Sequence, residues 1–183
     1  MICLSATSDD IRGVSFKCGH REIDKYFEEK LLTDSDAVSY CFWADADKKE
    51  LIGIASLSCS GIIVHSRTKF NITPAIEVKI FAVDERYQHQ VFLTDESGEQ
   101  HWSDLCLCYL IMEIYRISES VCGASHVVLY SVPEAVSFYQ RNGFNKFIAL
   151  CRWIRPGRNK ADRRSPLPYQ HPVFCITKVI RVL

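Results

Sequence analysis

Residues 135–144 read Ala135-Val136-Ser137-Phe138-Tyr139-Gln140-Arg141-Asn142-Gly143-Phe144, or A-x-x-F-Y-x-x-x-G-F. Pro133 suits the first turn of a helix, where its missing N–H costs nothing, and Gly143 fits the C-terminal stop. Phe144 then starts a strand, expected to run to Trp153. Before the helix, Val127-Val128-Leu129-Tyr130 is a short β-branched run of strand type.

Further upstream, Ser103-Asp104 marks a helix start. Leu105, Leu107, Cys108, Leu110, Ile111, Ile114, Tyr115 and Ile117 populate most of one cylinder, which predicts a largely buried helix to about Ser118. Glu77 to Asp84 is a clear strand, and a long polar loop is expected over about 85–101. Val38 to Ala44 and Leu51 to Ser58 form a hairpin about the polar turn Asp45 to Glu50, and residues 61–73 hold a further short strand or a turn. Ile23, Tyr26, Phe27, Lys30 and Leu31 follow a helical spacing, predicting a helix over about 20–33. Val173 to Ile180 is a last strand, which suits either an internal position or pairing across a homodimer. The order specifies one α+β (mixed α/β) domain spanning 1–183.

The 183 residues carry 22 Lys plus Arg against 22 Asp plus Glu, so net charge supplies no general attraction to nucleic acid or anionic membrane. The run Arg152, Arg155, Arg158, Lys160, Arg163 and Arg164 is a local exception, or a solvated loop. Nine cysteines without a Cys-x-x-Cys pair argue against a zinc ribbon and read as reduced thiols. Cys106 and Cys108 read as small hydrophobes in an apolar run. No helical i, i+4 histidine pair occurs, so no metal is expected. The first ten residues lack a signal-peptide pattern, and no apolar run approaches the roughly 20 residues of a membrane span. A soluble, cytoplasmic protein without membrane contact is expected.

Four segments in order resemble the GNAT family of N-acetyltransferases: Leu51-Ile52-Gly53-Ile54-Ala55-Ser56-Leu57; Glu77 to Asp84 with Arg86-Tyr87-Gln88; the helix from Ser103; and Val127 to Phe144. The resemblance implies a central, mostly antiparallel, twisted sheet of about six to seven strands flanked by about four helices. It implies acetyl transfer from acetyl-CoA to a primary amine by direct attack. Backbone groups of Phe81, Ala82 and Val83 would pair with the pantetheine arm, and the Val83 amide would polarise the thioester carbonyl. Tyr139, with Phe138 beside it, would protonate the leaving thiolate. Glu77 stands where some members place a base acting through water; otherwise it is a surface carboxylate at a strand start.

Two departures accompany the resemblance. The family's pyrophosphate loop has glycines where this chain has His89 and Val91, and an inserted loop at about 89–102 delays the next helix. Either the amides of Ser103, Asp104 and Leu105 meet the phosphates instead, as a helix N-terminus can, or the chain has kept the fold and lost coenzyme A. Asp104 is unhelpful beside a diphosphate. Val132 also replaces an asparagine that commonly holds the pantetheine arm, so Ser131 or Glu134 would substitute for it.

A second similarity lies at the N-terminus. Phe16-x-Cys18-Gly19-x-x-x-Ile23-Asp24-x-Tyr26-Phe27 resembles the start of GNAT toxins from toxin–antitoxin operons, which acetylate charged tRNA. That reading adds tRNA to the candidate acceptors, alongside small-molecule and peptide amines, and an antitoxin to the candidate partners.

Overall fold

The computed structural model describes residues 1–65, 70–96, 98–146 and 174–179. They divide into two compact units, Met1–Ser58 with Val78–Arg116, and Cys59–Glu77 with Ile117–Leu183. Two long strands pass from one unit into the other.

The first unit opens with β1 (Ile2–Ser5), a short element that periodicity does not announce. Thr7 then caps α1 (Ser8–Ile11), accepting from the Asp10 amide at 3.4 Å while its hydroxyl donates to the Asp10 carboxylate at 2.6 Å. The predicted helix over 20–33 is the shorter α2 (Arg21–Glu29), whose buried residue is Phe27. Next come β2 (Val38–Trp43), β3 (Leu51–His65) and β4 (Phe70–Val83). In this unit the strand order is β1-β2-β3-β4, with β1–β2 and β2–β3 antiparallel. Leu51 to Leu57 is buried without alternation, as in a strand covered on both faces. Phe16, Phe27, Leu31, Cys41, Trp43, Leu51, Ile54 and Ala82 form the core.

The expected polar loop over 85–101 is instead a turn followed by a hairpin, β5 (Val91–Asp95) and β6 (Gly98–His101). All five residues of β5 are exposed, so no alternation of burial marks it as a strand. Then α3 (Trp102–Ile117) begins one residue before the expected start and buries Cys106, Leu107, Leu110, Ile111 and Ile114. That is a single face. Cys108 and Met112 are exposed, so the helix is amphipathic rather than largely buried, and only Cys106 of the cysteine pair packs as a hydrophobe.

In the second unit, the π-helical turn Ser118–Cys122 closes on Gly123 in the left-handed region (φ 61°). The further strand or turn expected over 61–73 is the continuation of β3 to His65 and the start of β4 at Phe70. β7 (His126–Ser131) is followed by the 3-10 turn Pro133–Ala135, then by α4 (Val136–Arg141), β8 (Asn145–Lys146) and β9 (Phe174–Val179). The order here is β4-β7-β9-β8, and β9 is antiparallel to both neighbours. β9 thus lies inside the sheet, paired with β7 along its length and with β8 at Ile176 and Thr177. Ile62, Ala75 and Val128 pack together. The expected strand beyond Lys146 and the basic run Arg152–Arg164 lie outside the described residues. The mixed α+β class follows the expectation. No described helix is long and apolar enough to cross a membrane.

Candidate functional site

The first unit holds the end of β4, where Phe81, Ala82 and Val83 lie. Asp84 leaves the strand with its amide donating to the Ile52 carbonyl at 2.8 Å. Successive residues of a strand direct their backbone polar groups to alternate edges. Asp84 faces β3, so the N–H and C=O of Val83 are directed to the opposite edge. Gly53 lets the two strands close up: a Cβ there would stand 2.7 Å from the Ala82 carbonyl oxygen.

The turn after β4 is tied down by side chains. Asp84 accepts from the Lys17 amide (3.2 Å), the Arg86 amide (3.0 Å) and Arg86 Nε (2.7 Å). Burial alone would raise the Asp84 carboxyl, but the Arg86 and Lys17 hydrogen bonds outweigh it and hold the group below the usual aspartate range. Gln88 Nε2 donates to the carbonyls of both Val83 and Cys18, each at 2.8 Å. Sequence reading missed Gln88, because its partner Cys18 lies 70 residues away.

The N-terminal motif is explained by the same region. Asp24 accepts from the Cys18 amide at 2.8 Å, Gly19 takes φ 79°, and the rings of Phe16 and Phe27 sit 5.2 Å apart. Tyr26 donates to Asp34 at 3.0 Å and meets Ser56 at 3.1 Å, while Lys79 Nζ lies 2.7 Å from Asp34. Each residue of the motif therefore has a packing or capping task.

At the two glycine positions of the family's phosphate loop, the residues behave differently. His89 takes the left-handed conformation a glycine would favour, φ 61°. Val91 is the first residue of β5. Trp102 anchors the hairpin at the helix start, its ring 5.6 Å from Tyr87 and 4.6 Å from Phe92, both edge-on. Its amide donates to the Gln90 carbonyl at 3.2 Å. Ser103, Asp104 and Leu105 occupy the rest of the first turn, where amides lack partners within the helix. His101 Nδ1 lies 3.6 Å from the Asp104 carboxylate.

In the second unit, Tyr139 is 7% exposed, and burial pushes its phenol above the ordinary value. The Gly143 amide donates to the Gln140 carbonyl, and the Phe144 amide to the Tyr139 carbonyl, both at 3.0 Å. With Gly143 at φ 82°, this is a Schellman closure, and the ring contact between Tyr139 and Phe144 at 5.7 Å is its usual hydrophobic companion. Phe138 stacks edge-on with Tyr139 at 5.0 Å and carries the Arg141 guanidinium over its face at 5.1 Å. Ser131 is buried and its hydroxyl donates to the Val132 carbonyl at 2.9 Å. Glu77 lies within β4 and is buried, so the alternative of a surface carboxylate at a strand start is set aside.

Burial raises the thiols of Cys3, Cys18, Cys41 and Cys106 to about 12, so none of the four is an activated nucleophile. Among the described residues, no three of His, Cys, Asp and Glu gather as a metal site.

No protein-family model matches the chain, and no curated protein matches it. Solved structures do. A bacterial toxin is similar over 98% of this chain and 91% of its own, at 20% identity and a TM-score of 0.65. A tyrosine-to-phenylalanine mutant of KacT is similar over 95% and 92%, at 15% identity and 0.63. AtaT complexed with acetyl-methionyl-tRNAfMet is similar over 81% and 89%, at 16% identity and 0.62. At these identities the shared property is the fold, and it is the fold that the acetyltransferase resemblance implied.

Proposed function

We propose that this chain is an acetyl-CoA-dependent N-acetyltransferase whose acceptor is the amine of an aminoacyl-tRNA. The observation that carries the reading is the end of β4. The Val83 N–H is directed away from β3, to the edge where an extended pantetheine arm and its thioester would lie. In the reaction, the amine nitrogen attacks the thioester carbonyl carbon, a C–N bond forms and the C–S bond breaks. Charge that develops on the carbonyl oxygen is met by the Val83 amide, whose value as a donor is greatest where water is excluded. The base that would take the amine proton, through water, is Glu77 by resemblance alone. The resemblance assigns to Tyr139 the protonation of the departing sulfur, and burial keeps its phenol protonated at neutral pH.

The acceptor class draws its support from likeness. AtaT, similar in fold over most of this chain, is known with acetyl-methionyl-tRNAfMet. The N-terminal motif resembles toxins of that kind. Zero net charge means that phosphate contacts must come from local basic groups, and the Arg152–Arg164 run supplies them in sequence. An antitoxin is the partner this reading brings with it.

The test is direct. Bulk aminoacylated tRNA is incubated with acetyl-CoA and the chain, and the released amino acids are analysed by mass spectrometry for N-acetylation. Free lysine, peptides and small amines are run in parallel. Acetylation confined to those amines would replace the tRNA reading with a general amine acceptor.

A second reading, a GNAT-like scaffold without coenzyme A, is favoured by Val91 entering a strand and by Asp104 at the helix start. Ligand that binds only the native state must stabilise it, by about 2.7 kcal/mol at 100 times Kd. An unchanged melting temperature in millimolar acetyl-CoA would favour the scaffold.

A further inference from the structure

We infer that Gln88 is a positioning residue for the amide of Val83, and through it for acyl transfer; the inference rests on the acetyltransferase reading. The peptide joining Val83 to Asp84 is held from both ends. Its N–H donates to the Ile52 carbonyl at 2.8 Å, and its C=O accepts from Gln88 Nε2 at 2.8 Å. The preceding peptide, which carries the Val83 N–H, has its Ala82 carbonyl closed against Gly53. Peptide groups are planar, so fixing a carbonyl fixes the N–H on the far side of the same plane. Gln88 thus completes a set of restraints on both peptides that flank Val83.

The carboxamide itself has no slack. Its two hydrogens go to two carbonyls, Val83 and Cys18, and the Gln88 backbone N–H donates to the Asp84 carbonyl at 3.1 Å. A side chain of equal length without donors leaves both carbonyls without this partner, so the 83–84 plane is held only through the Asp84 N–H and can tilt about that bond. A misplacement of about 1 Å can cost up to about 100-fold in rate.

Steady-state kinetics with acetyl-CoA and bulk aminoacylated tRNA test this. Gln88→Met is expected to lower kcat by about 10-fold or more, with KM for acetyl-CoA nearly unchanged, because the Val83 amide acts on charge present only in the transition state. Gln88→Glu adds a readout that mere support of the fold would not move. Its carboxylate donates nothing at pH 8, and its rate relative to wild type recovers as the pH is lowered and the carboxyl regains an O–H. A Gln88→Met enzyme with wild-type kcat, or a loss lying wholly in KM, overturns the inference and leaves the acetyltransferase reading standing. If Gln88→Met does not fold, a flat relative pH profile for Gln88→Glu overturns it instead. A wild-type protein that neither binds nor consumes acetyl-CoA overturns both.

Discussion

At the end of β4 in the first unit, Asp24, Asp84 and Gln88 hold backbone groups directly with their side chains. At the end of α4 in the second unit, the backbone closes on itself and the rings of Tyr139 and Phe144 cover the closure. Both regions contain the short motifs that carry the resemblance to acetyltransferases in sequence. In the first, the motif residues are hydrogen-bonding partners, so changing one donor or acceptor changes the geometry of the backbone it holds. In the second, packing and the proposed chemistry sit on the same residue but on different atoms: the Tyr139 ring packs, and its hydroxyl reacts. The polar region is therefore probed by exchanging atoms at constant volume, and the aromatic one by removing the hydroxyl while keeping the ring.

Tyr139→Phe makes that separation and carries the largest expected effect. As general acid, the hydroxyl is worth about 100-fold in kcat or more. The ring contact with Phe144 survives, so stability should change by about 1 kcal/mol at most, the net worth of a hydrogen bond. Turnover and urea unfolding measured on one preparation check both halves. Tyr139→Ala, which removes the ring as well, is expected to cost about 3–5 kcal/mol. Wild-type turnover in Tyr139→Phe would reduce the tyrosine to its packing role and leave the cap unchanged.

Two glycines sharpen the comparison from the backbone side. Gly53→Ala places a methyl 2.7 Å from the Ala82 carbonyl, so a strand must shift, at about 1–3 kcal/mol. Because that carbonyl shares a plane with the Val83 N–H, kcat should fall beyond what the lost stability explains. Gly143→Ala puts a side chain at φ 82° and should cost about 1–2 kcal/mol. Chemical denaturation measures both costs. A larger kcat loss in Gly143→Ala than in Gly53→Ala would reverse the assignment of the sensitive backbone to β4.

Much of the element order was legible because burial imposes a period. Leu51 to Leu57, Val127 to Leu129 and the α3 face are buried runs, and buried runs leave a pattern in sequence. The missed elements bury little. β5 is exposed throughout, and β1 is short and only partly buried, so neither leaves a clear alternation. The strand expected to end at Ser58 runs on through Cys59, Ser60 and Gly61 to His65, where small and polar residues hide its continuation. At the candidate site, the end of β4 was visible because Asp84 breaks an apolar run. Gln88 was not, since its role depends on Cys18, brought near only by folding. Of the two readings of Glu77, the surface carboxylate at a strand start does not hold, because β4 begins seven residues earlier, at Phe70, and Glu77 is buried.

The smallest expected effect belongs to the polar region alone and comes from pH. Asp84 is held below the ordinary aspartate value of about 3.9 because its bonds to Arg86 and Lys17 outweigh its burial. A carboxyl with a depressed folded value binds its proton more weakly when folded than when unfolded. Its stabilisation is fully present above the unfolded value and is lost as the pH falls from there through the folded one. Asp84→Asn cannot follow that course, and its melting temperature should fall less steeply than wild type below about pH 4. No counterpart is expected around Tyr139, whose raised phenol stays neutral throughout the acid range. Melting curves from pH 6 to pH 2.5 for wild type, Asp84→Asn and Tyr139→Phe check this. If Tyr139→Phe flattened the acid limb as much as Asp84→Asn, the division between a charged clasp and an uncharged aromatic cap would fail.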